Sequence, residues 1–163
     1  MSREIVSSTA LPKASPYFSH AVQAGGLVFV SGTAPYSPET GELVGISIQE
    51  QTAQALRNIA AILEAAGTDL DRAVSATVIL AEEEDFAGMN EEWLRWFPAR
   101  PPARQGGKTP RKGPGVQDFD RHDRRRVNLP LAWSAADICV LARLNAMVTA
   151  AAMGKLPGFH PAP

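Results

Sequence analysis

Residues 47–80, SIQEQTAQALRNIAAILEAAGTDLDRAVSATVIL, pass from a helical period to a strand period within one short span. Ser47 stands three residues before Glu50, the spacing at which a serine hydroxyl and a glutamate carboxylate cap each other's free backbone N–H groups. Ala53, Leu56, Ile59, Ala60 and Leu63 then recur every three or four residues, which puts them on one face of a helix. Gly67 follows as the left-handed residue that ends it. The spacing therefore predicts a helix over 47–67. Residues 71–81, DRAVSATVILA, alternate and then run apolar with β-branched side chains, the pattern of a strand with one face buried and then both.

Working outward, HAVQAGGLVFVSG (20–32) reads as two short strands around a Gly25-Gly26 hairpin turn. APYSPETGELVG (34–45) is a Pro/Gly/Glu-rich loop. Residues 82–98 read as a second helix, with Asp85 as its cap, acids near its positive N-terminal end, and Phe86, Met89, Trp93 and Phe97 as its apolar face; Pro98 stops it. Strand, strand, helix, strand, helix is an incomplete α+β sheet that needs more strands to close. No convincing strand is read after Arg104.

A chain of 163 residues supports one domain with a real core. The formal net charge of −1 gives no global attraction to nucleic acid or anionic membrane, but it hides a split. Residues 1–105 carry 7 basic and 13 acidic side chains, and residues 106–163 carry 9 basic and 4 acidic, which marks the second part as a tail or module of different character. Cys139 is the single cysteine, so neither a disulfide framework nor thiolate metal ligation is expected, and a reducing, cytoplasmic setting is the expectation. ADICVLARLNAMVTAAAMG (136–154) is apolar but interrupted by Asp137, Arg143 and Asn145, so no membrane span is expected.

Residues 101–126, PPARQGGKTPRKGPGVQDFDRHDRRR, contain three suggestive patterns. Gly106-Gly107-Lys108-Thr109 hints at a phosphate loop, but that motif needs a glycine five positions before Gly107, where Pro102 stands. RHDRRR (121–126) is a cationic run of the kind that attracts phosphates, yet Asp118, Asp120 and Asp123 offset it and no aromatics are spaced for base stacking. His122 beside those aspartates lacks a second His or a Cys to make a metal site, so no metal and no cofactor are expected.

SPYFSHAVQAGGLVFVSGTAPYSPETGELVG (15–45), QTAQALRNIAAILEAAGTDLDRAVSATVIL (51–80) and DFAGMNEEWLRWFPARPPAR (85–104) occur in an order that closely resembles the RidA family, also called YjgF/YER057c/UK114, over about residues 10–106. The resemblance implies a chorismate-mutase-like α+β fold, assembly as a homotrimer with each active site between subunits, and hydrolysis of reactive enamines and imines such as 2-aminoacrylate to 2-keto acids and ammonia. It also implies site residues. Arg104 matches the arginine that holds the substrate carboxylate, a task suited to a planar fork gripping both oxygens. Tyr17 matches a tyrosine near the ligand, and Gly32 a glycine that lets backbone approach it. Asn90 matches an asparagine near the pocket; it shares a helix face with Phe86, Trp93 and Phe97, odd for a polar residue without a buried partner. Ser31 is expected to orient the same loop as Gly32.

The match stops after residue 106. The family's last strand carries a glutamate implied to activate the attacking water, and residues 107–163 offer no counterpart. This 107–163 segment is read as an atypical, poorly ordered tail whose codons, from about residue 107, are taken in the wrong frame. Shifted by one base, Lys112-Gly113 must give Lys or Arg, Phe119-Asp120 gives Leu or Ser, and Val127-Asn128 can give a stop. The options permit a Pro-Gly turn followed by a strand, still without the glutamate. The chain as written is therefore expected to leave a sheet edge unpaired and part of the core uncovered.

These readings lead to an imine deaminase acting through Arg104 and a small-carboxylate ligand. The alternatives are a non-catalytic carboxylate-binding relative, the endoribonuclease or translation-inhibitor activity attached to some relatives, or an inactive frameshift product. The acidic body disfavours nucleic acid as a partner.

Overall fold

The computed structural model describes residues 2–108 and 144–151. Its first helix, α1 (Ile48–Ala65), begins at Ser47, whose hydroxyl accepts from the Glu50 N–H while the Glu50 carboxylate accepts from the Ser47 N–H at 3.0 Å and the Ile46 N–H at 2.9 Å. Gly67 (φ 73°) takes the left-handed conformation after the last turn. Its N–H donates to the Glu64 carbonyl and that of Thr68 to the Leu63 carbonyl, both at 2.9 Å, so the orphan carbonyls of the helix end are satisfied. Ser47→Ala is expected to cost about 1 kcal/mol in chemical denaturation. The backbone N–H of Ser47, then its hydroxyl and the Ile46 N–H, hold the Glu50 carboxyl below its usual pKa. The sign follows: this support is complete above the ordinary glutamate range and is lost as pH falls through the lowered folded-state value. Glu50→Gln should therefore flatten the acid limb of a stability–pH profile.

The helix buries a wider band than the expected stripe. Leu56, Ile59 and Leu63 are fully buried, but so are Ala55 and nearly Ile62, because α1 is covered by the sheet and also by the 34–45 loop. Asn58 holds that loop, its amide donating to the carbonyls of Ala34 (3.1 Å) and Tyr36 (2.9 Å).

The hairpin forms as expected: β2 (Ala21–Ala24) pairs antiparallel with β3 (Leu27–Val30). Gly25 (φ 59°) and Gly26 (φ 77°) both take the positive φ of a two-residue turn. A further strand, β1 (Arg3–Val6), pairs with β2 and was not anticipated. The strand read over 71–81 is β4 (Ala73–Leu80). Its first expected residues instead form a short 3-10 turn, Leu70–Arg72, because the Asp69 carboxylate accepts from the Arg72 N–H. The second helix, α2, spans Asp85–Trp96. Asp85 is its first helical residue and not its cap; Glu84 holds the cap position.

The expectation that no strand follows Arg104 is overturned twice. Residues Ala103–Lys108 form β5, parallel to β4, and Leu144–Ala151 form β6, which lies between β3 and β4 and is antiparallel to both. The sheet order is β1-β2-β3-β6-β4-β5. ARQGGK and LNAMVTAA are weak strand formers by composition, and the open hydrogen-bonding edges of β3 and β4 impose the extended form. The expected gap in the sheet is thus filled, with Ala150 completely buried. The basic run RHDRRR and His122 lie outside the described residues.

One face of the sheet packs on both helices: Val28, Val30, Ala76, Val78 and Leu80 share one core with the side chains of α1, with Met89 and Trp93 of α2, and with Phe97 just after it. Phe86, expected in that apolar face, is 50% exposed. On the opposite face Ile5, Val22 and Phe29 align in one row across β1–β3, and Ser75 and Ala103 align across β4 and β5. Ile5 and Phe29 are exposed there.

Candidate functional site

Arg104 lies inside β5, in register with Ala76 of β4. That pairing turns its side chain toward α2. One Nη donates to Asn90 Oδ1 at 2.6 Å and the other approaches Met89 Sδ at 3.6 Å. The guanidinium carbon sits 5.1 Å from the Trp93 ring centre and 5.9 Å from that of Phe86. Cationic guanidinium over an aromatic face is attractive, and the stack fixes the plane of the fork. Asn90 thereby has the partner that its place on an apolar helix face requires. Trp93 is itself held against Phe97, with ring centres 4.6 Å apart.

The guanidinium borders a cleft of about 800 Å³ between α2 and the ends of β4 and β5. Val78, Leu80, Ala87 and Met89 make its walls, Gly106 and Gly107 line the β5 side, and Glu82, Glu83 and Glu84 line the stretch leading into α2. An oriented cation beside an apolar hollow suits a small molecule with one carboxylate and little other charge.

Ser31 and Gly32 lie elsewhere. They line a smaller pocket of about 180 Å³ with Phe18, His20, Tyr36 and Asn58. The Ser31 hydroxyl donates to the Ser19 carbonyl at 2.6 Å, tying the end of β3 to the segment that carries Tyr17 and Phe18. His20 Nδ1 accepts from the Ser8 N–H at 3.1 Å, so its proton is on Nε2, which donates to the Pro12 carbonyl at 3.0 Å. Burial of Tyr36 raises its pKa above the usual phenol value. Tyr17 is 70% exposed and lines neither cleft.

Within one chain, then, Arg104 and Asn90 come together, Ser31 and Gly32 come together, and the pairs stay apart. Phe29 and Ala103 share a row of the sheet, with β6 and β4 between their strands. Three strand spacings separate β3 from β5 by roughly 14 Å. Sequence reading missed Trp93 and Phe86 as the platform for Arg104, although their spacing from Asn90 on α2 carried the signal. No group of three or more His, Cys, Asp or Glu side chains is placed to hold a metal among the described residues. No helix among them is long and apolar enough to cross a membrane.

Comparison with known proteins bears on residues 8–108, which match the family described as Endoribonuclease L-PSP. The chain is 42% identical over 102 residues to "Reactive Intermediate Deaminase A, chloroplastic" of Arabidopsis thaliana, covering 63% of this chain and 54% of that protein. It is thus similar to little more than half of that relative's length. It is 38% identical over 102 residues to the "2-iminobutanoate/2-iminopropanoate deaminase" of Mus musculus, covering 63% of this chain and 76% of that protein. Among solved structures, E. coli TdcF with bound serine superposes with a TM-score of 0.68 at 26% identity, covering 91% of this chain and 98% of that one.

Proposed function

The chain belongs to the Endoribonuclease L-PSP family, which includes the RidA-type proteins, and from that premise we propose that it hydrolyses small 2-imino acids to 2-keto acids and ammonia. The observation that carries this reading is the posture of Arg104. Asn90 and the Trp93 ring hold its guanidinium at the edge of an apolar cleft, ready to grip a carboxylate. A carboxylate fixed there places the adjacent C2=N bond in the cleft. Water adds its oxygen to C2 and a proton to nitrogen; the C–N bond then breaks, ammonia leaves and the carbonyl forms. An enamine such as 2-aminoacrylate enters as its imine tautomer.

The second half of the site comes from another copy of the chain. Ser31 and Gly32 lie too far from Arg104 in one chain, and the exposed Ile5 and Phe29 mark an apolar sheet face that a homotrimer would cover. Light scattering should report three chains per particle, and Phe29→Asp should dissociate them.

A specific observation favours a second reading. β6, LNAMVTAA, contains no carboxylate to activate water, so the protein would bind small carboxylates without turnover. Ammonia release from freshly generated 2-aminoacrylate, lost in Arg104→Ala, supports hydrolysis; calorimetric carboxylate binding without ammonia release supports the binder. The nuclease activity in the family's name is the weaker reading, because residues 1–105 carry 13 acidic against 7 basic side chains. RNA cleavage that persists in Arg104→Ala would reverse that ranking. The shifted-frame proposal is separate: resequencing codons 100–130 decides whether β6 of the chain as written is what the gene encodes.

A further inference from the structure

We propose that Gly106 sets the size of substrate admitted beside Arg104, and that the cleft takes 2-imino acids with uncharged apolar side chains of leucine to phenylalanine size. The inference rests on the reading of Arg104 as carboxylate anchor and names the substrate class of that same site.

Alternation along β5 puts Gly106 on the same face as Arg104, the one in register with Ala76 and Val78 and turned toward α2. Glycine is a poor strand residue, so its presence in β5 calls for a reason. Among the described residues, close backbone packing is not that reason: a Cβ at Gly106 would meet nothing nearer than the Val78 carbonyl oxygen at 4.0 Å. A Cβ at Gly107, on the other face of β5, would meet Ile79 Cγ1 at 3.9 Å and no other described residue within 4 Å. Among the described residues Gly106 thus has room for a side chain and carries none, and the hollow of about 800 Å³ lies against it. That volume is in the range of pockets that take ligands far larger than a three-carbon acid. Its walls next to Gly106 are the apolar Val78, Leu80, Ala87 and Met89. Glu82, Glu83 and Glu84 line the same cleft, so a second carboxylate would meet like charge. With the carboxylate on Arg104, the substrate side chain extends into the space over Gly106.

The test uses the full chain with imines generated in place by an amino-acid oxidase from alanine, leucine, phenylalanine and glutamate. In the wild type, kcat/KM for the leucine and phenylalanine imines should equal or exceed that for alanine's, with glutamate's about tenfold lower or worse. Gly106→Leu fills the hollow and should cut the two large substrates by about 10- to 200-fold, while alanine's imine stays within about threefold. Gly106→Val, a better strand former than glycine, should give a smaller loss of the same kind, which separates pocket filling from misfolding. Calorimetric binding of pyruvate, 4-methyl-2-oxopentanoate and phenylpyruvate should give the same ranking without turnover. A Gly106→Leu variant that affects all substrates equally, or a wild type that prefers alanine's imine, overturns the proposal. Arg104→Ala runs beside them. If it spares alanine's imine, the anchor reading itself falls; if it abolishes turnover while Gly106→Leu shows no size effect, only the present inference falls.

Discussion

Arg104→Ala is expected to lower kcat/KM for 2-imino acids at least about a hundredfold while leaving the fold intact. A hydrogen bond to a charged group contributes about 1.5–3 kcal/mol, and a forked grip on a carboxylate makes two, against 1.4 kcal/mol for each factor of ten. The site strengthens the case, because Asn90 at 2.6 Å and the ring of Trp93 at 5.1 Å already hold the guanidinium in one plane. Little ordering is left for the ligand to impose. Arg104 is on an exposed edge strand, so its removal opens no core cavity, and circular dichroism should show an unchanged melt. Arg104→Lys keeps the charge but loses fork and stack, and should recover only a small part of the activity. Ammonia release measured across the three proteins checks the prediction; equal rates in wild type and Arg104→Ala would sink it.

Leu56→Ala should have the largest effect on stability. Leu56 is wholly inaccessible, at the middle of α1 in the core that joins helix and sheet. Truncating a buried leucine costs about 2–5 kcal/mol, from lost transfer free energy and the cavity left behind. For a domain of this size that lowers the melting temperature by roughly 10 °C, given about 2–4 °C per kcal/mol. The comparison must be made at one protein concentration, because an assembling protein melts higher when concentrated. A shift below about 2 °C would mean that the surrounding side chains close the hole.

What was legible in the sequence was local. Ser47, Glu50 and Gly67 announce both ends of α1 because capping depends on residues within one turn of the cap. Gly25-Gly26 announces the hairpin because few other pairs accept two positive φ angles. β5 and β6 were not legible: ARQGGK and LNAMVTAA carry little strand preference, and their conformation comes from the edges of β4 and β3. Phe86 was misplaced because helical spacing gives a face but not how far the sheet extends beneath it, and the first turn of α2 overhangs the cleft. Arg104 was singled out through family resemblance alone. Its link to Asn90 was foreshadowed by a polar side chain set in an apolar helix face.

The place of β6 bears on how the chain reaches its folded state. Of the described strands, the one latest in the sequence is inserted in the middle of the sheet, pairing with Leu27–Phe29 of β3 on one side and with β4 on the other. Until it arrives, the β1–β3 and β4–β5 portions each expose a bare edge and half a core. Such distant contacts close slowly, since the loop entropy must be overcome before the pairing rewards it. On the ribosome, the window in which those edges can capture a neighbouring chain stays open until β6 emerges. Slow refolding and a yield that falls with concentration are the expected signatures.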